Sequence, residues 1–168
     1  GEGWYRGAIA EGIVADMKGH GGLLTKEEVE NWQPTTHAGR MGSYRGFDVA
    51  TKQGPGGGLM SLERLNILEC FDLAAMGHNS AAYIATVAEA MKLATIDKDT
   101  SMGDPNFVDV PVERLMSKSY AQTLADRIKA GEKAHVRRIN SGAPESKDTT
   151  HLVVADSDGN VVNLTHSL

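Results

Sequence analysis

Cysteine is almost absent from this sequence: Cys70 is the only one in 168 residues. That excludes an internal disulfide and a thiolate cluster for a metal. The six histidines, His20, His37, His78, His135, His151 and His166, show no close metal-ligand spacing. No apolar run approaches the ~20 residues that a membrane-spanning helix needs. Lys and Arg number 17 against 22 Asp and Glu, for a net charge of −5. The mixed signs leave no basic stripe for nucleic acid. There is no internal repeat, and the only biased segment is the glycine-rich stretch 54–58. It lacks the following Gly-Lys-Ser/Thr of a phosphate-binding loop and reads as a close-packed turn.

What is present is mostly helical pattern, over a length that suits one domain with a sizeable core. Apolar spacing at Ile9, Ile13, Val14 and Met17 predicts a helix over 5–18, with Gly19 as its stop. Thr25-Lys26-Glu27-Glu28 is a capping-box sequence opening a short helix that runs to about Trp32. Short extended segments are expected within 36–50, around Tyr44 to Phe47. Further helices are predicted over 59–73, over 81–96 behind a Ser80 cap, and over 120–130 ended by Gly131. Gly103-Asp104-Pro105 breaks the chain between them. Cys70, in an apolar helix, reads as core rather than as a nucleophile.

The end of the chain has a different period. Two runs rich in Val, Leu and Thr flank Asp156-Ser157-Asp158-Gly159-Asn160, whose centre suits a three-residue hairpin loop with Gly159 in the left-handed position. That five-residue stretch lacks the ligand spacing and distal glutamate of a calcium loop. The hairpin sets Thr149 opposite Ser167 and His151 opposite Thr165, all on one face because strand side chains alternate. Leu152, Val154, Val162, Leu164 and Leu168 form the other, apolar face. A slip of one residue would dissolve the Thr149–Ser167 pairing.

Upstream, the stretch 131–147 is polar, charged and punctuated by Gly and Pro, which reads as a loop or linker. A linker ending at a threonine that opens a strand is what a self-processing N-terminal-nucleophile hydrolase requires. The threonine hydroxyl attacks the preceding carbonyl, the bond breaks, and the freed α-amine then serves as base to the same hydroxyl. Taken alone, Thr149 reads as an ordinary strand threonine rather than as a nucleophile.

Further motifs decide between these readings. Thr149-Thr150-His151, the Asp-Gly-Asn turn and Leu164-Thr165-His166-Ser167-Leu168 resemble the start of the small subunit of γ-glutamyltransferases, also called γ-glutamyltranspeptidases or glutathione hydrolases. The similarity continues upstream in Trp4-Tyr5-Arg6-Gly7-Ala8-Ile9-Ala10, Gly21-Gly22-Leu23-Leu24-Thr25, Tyr44-Arg45-Gly46 and Leu65-Asn66-Ile67-Leu68-Glu69. It includes Gly77-His78-Asn79-Ser80, Glu89-Ala90-Met91-Lys92, Gly103-Asp104-Pro105-Asn106-Phe107 and Val110-Pro111-Val112-Glu113-Arg114-Leu115. Each motif is short; their order and spacing together are specific.

The resemblance implies an α/β fold, the αββα sandwich of N-terminal-nucleophile hydrolases, of which this chain holds mainly large-subunit helices and the first small-subunit hairpin. It implies that 1–148 is the C-terminal part of the large subunit, with 131–148 linking to the processing site, and that 149–168 starts the small subunit. Thr149 becomes the nucleophile and, after cleavage at Asp148–Thr149, the α-amine base. Ser167 matches a hydroxyl that hydrogen-bonds the nucleophile. The implied partners are glutathione or another γ-glutamyl compound, an amino acid, peptide or water as acceptor, and the two subunits of one precursor. No cofactor, metal or nucleic acid is implied, and the family setting is periplasmic or extracellular. The family's carboxylate-gripping arginine falls before Gly1 and its oxyanion glycines after Leu168. The chain is therefore expected to be an internal fragment, inactive by itself.

Two segments depart from the family pattern. Lys52 to Gly58 stands where a Pro-Pro-Ser-Ser-Gly-Gly type segment is usual, and Ile96-Asp97-Lys98 stands where Ala-Asp-Arg is usual. These leave two alternatives to γ-glutamyl transfer: an amide acylase of the β-lactam type with the same nucleophile, or a noncatalytic scaffold homologue.

Overall fold

A computed structural model describes residues 2–34, 36–53, 56–137 and 149–167. The chain divides into two compact units, Gly1–Lys133 and Ala134–Leu168. Seven helices and a small hairpin are described in the first, and a second hairpin in the other.

The first helical stretch is two helices, α1 (Glu2–Arg6) and α2 (Ala8–Gly19), where the apolar pattern predicts one. Gly7 sits between them as the extended N-cap of α2. A Cβ there would lie 2.9 Å from the Gly3 carbonyl oxygen, so the break requires glycine. Helix α3 (Lys26–Asn31) starts on the expected capping box: Thr25 Oγ1 accepts from Glu28 N, and Glu28 Oε2 accepts from Thr25 N at 2.8 Å. Tyr5 stacks on Trp32 with ring centroids 5.3 Å apart, fastening α1 to the end of α3.

Strands β1 (Arg40–Tyr44) and β2 (Phe47–Thr51) form an antiparallel hairpin in which Tyr44 pairs with Phe47. Its two-residue turn puts Arg45 and Gly46 at positive φ, 51° and 84°, the geometry whose twist matches the flanking strands. Helix α4 (Gly57–Glu69) follows and packs against β1, β2 and three later helices. These are α5 (Ala81–Ser101), α6 (Val112–Met116) and α7 (Lys118–Lys129). Ser80 caps α5 by accepting from Tyr83 N, and Ser117 caps α7 by accepting from Tyr120 N.

The core lies where these four helices meet. Leu62 and Ile67 of α4, Ala90 and Ala94 of α5, Leu115 of α6 and Ala125 of α7 are buried. Small alanines on α5 and α7 let the helices approach the larger side chains of α4. Polar ties run along the edge of this core. Asn66 Nδ2 donates to the Met116 carbonyl at 3.0 Å, satisfying a carbonyl at the end of α6. The Glu69 carboxylate accepts from Arg45 N and Lys118 Nζ, while Lys118 Nζ also reaches the Ser43 carbonyl at 2.8 Å. The Lys118 ammonium, chiefly, holds the Glu69 carboxyl below its ordinary range. Cys70 is the α4 cap residue and half-buried rather than core; its thiol meets the Asn66 carbonyl at 3.5 Å.

The second hairpin comprises β3 (Thr149–Ala155) and β4 (Val161–Ser167). Asp156 N donates to the Asn160 carbonyl at 3.1 Å, which closes a three-residue loop containing Gly159 at φ 83°. Asp156 Oδ1 accepts from Asp158 N and Asn160 N, and its Oδ2 accepts from Asn160 Nδ2 at 2.8 Å. These bonds, the Asn160 side chain's first, hold the Asp156 carboxyl below its ordinary range.

Two outcomes follow from this packing. Ile67→Ala, at a fully buried site, is expected to lower stability in denaturant unfolding by about 2–5 kcal/mol. Leu23→Ala, at a residue 93% exposed, should change it by no more than about 0.5 kcal/mol. Because folding depresses the Asp156 pKa, its contribution is present above the ordinary carboxyl range and lost as pH falls through the lowered value. Acidification should therefore reduce NMR amide protection in the β3–β4 loop of the parent, and Asp156→Ala should show reduced protection already at neutral pH.

Candidate active site

The expected hydroxyl pairing depends on strand register, which the second hairpin sets directly. Thr149 is the antiparallel partner of Ser167, Thr150 of His166, and His151 of Thr165. Leu152 pairs with Leu164 and Val154 with Val162. The loop geometry read from Ser157 to Gly159 thus yields the expected register without a slip. Asp148 and Leu168, and the stretch 138–147, lie outside the described residues.

Two residue pairs in from Thr149 and Ser167, a side-chain pair is defined. His151 Nδ1 and Thr165 Oγ1 are 2.8 Å apart, sharing one proton in a sense set by the imidazole tautomer. This cross-strand bond opposes slippage of the two strands near Thr149 and Ser167. Leu152, Val154, Val162 and Leu164 on the other face each keep about half or more of their surface exposed.

The chemistry available here is that of hydroxyls and one imidazole. A threonine at the first position of a strand, partnered by a serine across the ladder, suits nucleophilic attack by an alcohol that is activated from its own backbone amine. Among the described residues no group of three His, Cys, Asp or Glu could hold a metal ion. Gly54 and Pro55 of the glycine-rich segment lie outside the described residues, and Gly56, at φ 135°, forms the N-cap of α4. Lys98 pairs with the adjacent Asp99, while Asp97 turns towards Tyr120 and Arg114.

One polar cluster in the first unit was not anticipated from the sequence: Glu63, Asp97, Arg114 and Tyr120. A signal for it does exist. The buried positions of α4 are Leu59, Leu62, Glu63, Asn66 and Ile67, so the glutamate occupies the apolar helical stripe.

Comparison with known proteins extends these observations. The gamma-glutamyltranspeptidase family model matches residues 1–168. The glutathione hydrolase proenzyme of Escherichia coli (strain K12) is 40% identical over 169 residues, covering 98% of this chain and 29% of that protein. The crystal structure of Helicobacter pylori gamma-glutamyltranspeptidase superposes with a TM-score of 0.72 at 38% identity, covering 76% of this chain and 37% of that one. Cephalosporin acylase from Bacillus halodurans gives a TM-score of 0.74 at 30% identity, covering 96% of this chain and 28% of that one. The chain spans about 30% of the length of the relatives it matches. The likeness identifies the α/β fold as part of the N-terminal-nucleophile hydrolase architecture, represented here by helices and a hairpin. By sequence and fold together, the chain belongs to the gamma-glutamyltranspeptidase family.

Proposed function

We propose that the complete protein is a self-processed γ-glutamyltransferase and glutathione hydrolase whose nucleophile is Thr149. The observation that carries this reading is the register pairing of Thr149 with Ser167, within a chain matched by the family model over its length. The relative from Escherichia coli is named a proenzyme, which supports processing of a precursor. Residues 1–148 would then end the large subunit, with 131–148 as the linker, and 149–168 would begin the small one.

In the processing step Thr149 Oγ attacks the Asp148 carbonyl carbon. The peptide C–N bond breaks, nitrogen takes a proton to become the α-amine, and water hydrolyses the remaining ester. The freed amine has a reference pKa near ~8, so an appreciable neutral fraction exists at physiological pH. That amine takes the hydroxyl proton as Oγ attacks the γ-amide carbonyl of glutathione or a related donor. The departing amine leaves protonated, and a γ-glutamyl ester remains on Thr149. Water or an amino acid then attacks this ester, returning the hydroxyl. Ser167 orients the attacking oxygen by a hydrogen bond.

A second reading, amide acylase chemistry through the same nucleophile, is favoured by the likeness to cephalosporin acylase. A panel of γ-glutamyl and β-lactam side-chain amides assayed on the full-length protein separates the two. γ-Glutamyl donors are expected to be the better substrates, and exclusive cleavage of acyl β-lactams would overturn that assignment.

Thr149→Ala should leave the precursor whole and without γ-glutamyl transfer. Ser167→Ala should slow self-cleavage on the order of tenfold, the equivalent of about 1.4 kcal/mol in the barrier, measured by loss of precursor on a gel over time. Cleavage of Thr149→Ala at the parent's rate would refute the assignment.

A further inference from the structure

Glu63 points from α4 into the helical core and is fully buried, and neither of its carboxyl oxygens accepts a hydrogen bond from an N–H or hydroxyl donor. An ionised carboxylate without partners is not sustained in such a place; the group keeps its proton instead. The acidic group that acts on it is Asp97 of α5.

The two carboxyls have unequal surroundings. Tyr120 of α7 donates its hydroxyl to Asp97 Oδ2 at 2.7 Å, and Arg114 Nη2 of α6 lies 3.8 Å from Asp97 Oδ1. The same guanidinium stacks over the Tyr120 ring, 4.6 Å from its centroid. Asp97 therefore has a donor and a cation to stabilise its charge, whereas Glu63 has burial and a like charge. Burial first, then Asp97, pushes the Glu63 carboxyl up to about 9, against a smaller opposing pull from Arg114 and Arg64. Burial and the bond to Asp97 push the Tyr120 phenol up to about 12, so it stays a donor.

Arg64 also bears on Glu63, while the other charged groups named here bond elsewhere or are exposed. Arg64 Nη2 contacts Met60 Sδ and its Nε is buried without an acceptor. On β1, Arg40 Nη1 meets Met116 Sδ, and Asp48 on β2 is exposed. Lys118 of α7 is bonded to Glu69, Lys92 of α5 to Glu89, and Glu113 of α6 is exposed. Arg114 keeps 43% of its side chain exposed, so the cluster is bordered on one side by a group that reaches solvent.

We propose that Glu63 keeps its proton beside Asp97, and that this proton is a pH-sensitive latch on the packing of α4 against α5, α6 and α7. Two carboxyls in a dry site do not both ionise without cost. When hydroxide removes the proton, water is formed and two negative charges are left facing each other across the α4–α5 contact. The folded state binds one more proton than the unfolded chain between the ordinary carboxyl range and about 9. Stability therefore falls as pH rises through that window, by up to about tenfold in the folding equilibrium per pH unit. The latch is independent of Thr149 chemistry.

Infrared spectroscopy of the full-length protein at about pH 8 should show the C=O stretch of a protonated carboxylic acid. The band should disappear on titration above about pH 9 and be absent from Glu63→Gln. The thermal midpoint of the parent should decline from pH 6 to pH 9 relative to that of Glu63→Gln, in which an uncharged amide replaces the acid. Parallel midpoint curves, or a parent with no protonated-acid band at pH 8, would overturn the proposal. The titration of the parent alone decides the matter if the variant does not fold.

Discussion

The helical unit depends on the burial of one face of α4. That face meets α5, α6 and α7, while β1 and β2 pack on the same helix. Leu62 and Ile67 supply the apolar contact, and Asn66 adds a directional bond to the end of α6. Apolar burial is non-directional, so it does not by itself fix how four helices sit around a common centre. Asn66, Glu69 and the Glu63–Asp97 cluster each have specific partners on other elements. Polar groups in and around the core set orientation, which burial of apolar surface alone does not.

The chemistry depends on a different constraint, the register of β3 and β4. Strand side chains alternate, so a slip of one residue would put Thr149 across from His166 or Leu168 and turn the hydroxyl face over. Two features oppose that slip from opposite ends of the hairpin. The Asp156 carboxylate binds three donors in the loop, and the His151–Thr165 bond lies near the open end. A loop locked by its own carboxylate can fix the proposed nucleophile at the far end because the six residues between Asp156 and Thr149 are all paired in one ladder.

Some of this was legible in the sequence and some was not, for identifiable reasons. The second hairpin was readable because period-two alternation and a Ser-Asp-Gly loop specify pairing locally. The capping box at Thr25 and the serine caps at Ser80 and Ser117 are likewise local, although the Ser117 cap and the short α6 before it went unrecognised. Five residues following Pro111 contain too little of a helical period to register. Helix α5 runs to Ser101, past the Ile96 boundary, and Asp97 in that extension accepts from Tyr120, an interaction that apolar periodicity does not score. The break at Gly7 was hidden because glycine within an apolar pattern is compatible with a continuous helix. The Glu63 cluster depends on residues drawn from four helices, and only Glu63's place in an apolar stripe hinted at it.

The most direct measurement is the N-terminal residue of the smaller chain released when the full-length protein matures, read by mass spectrometry. A chain beginning at Thr149 is the result this account predicts. A precursor that stays whole, or a new terminus at any other residue, would contradict it.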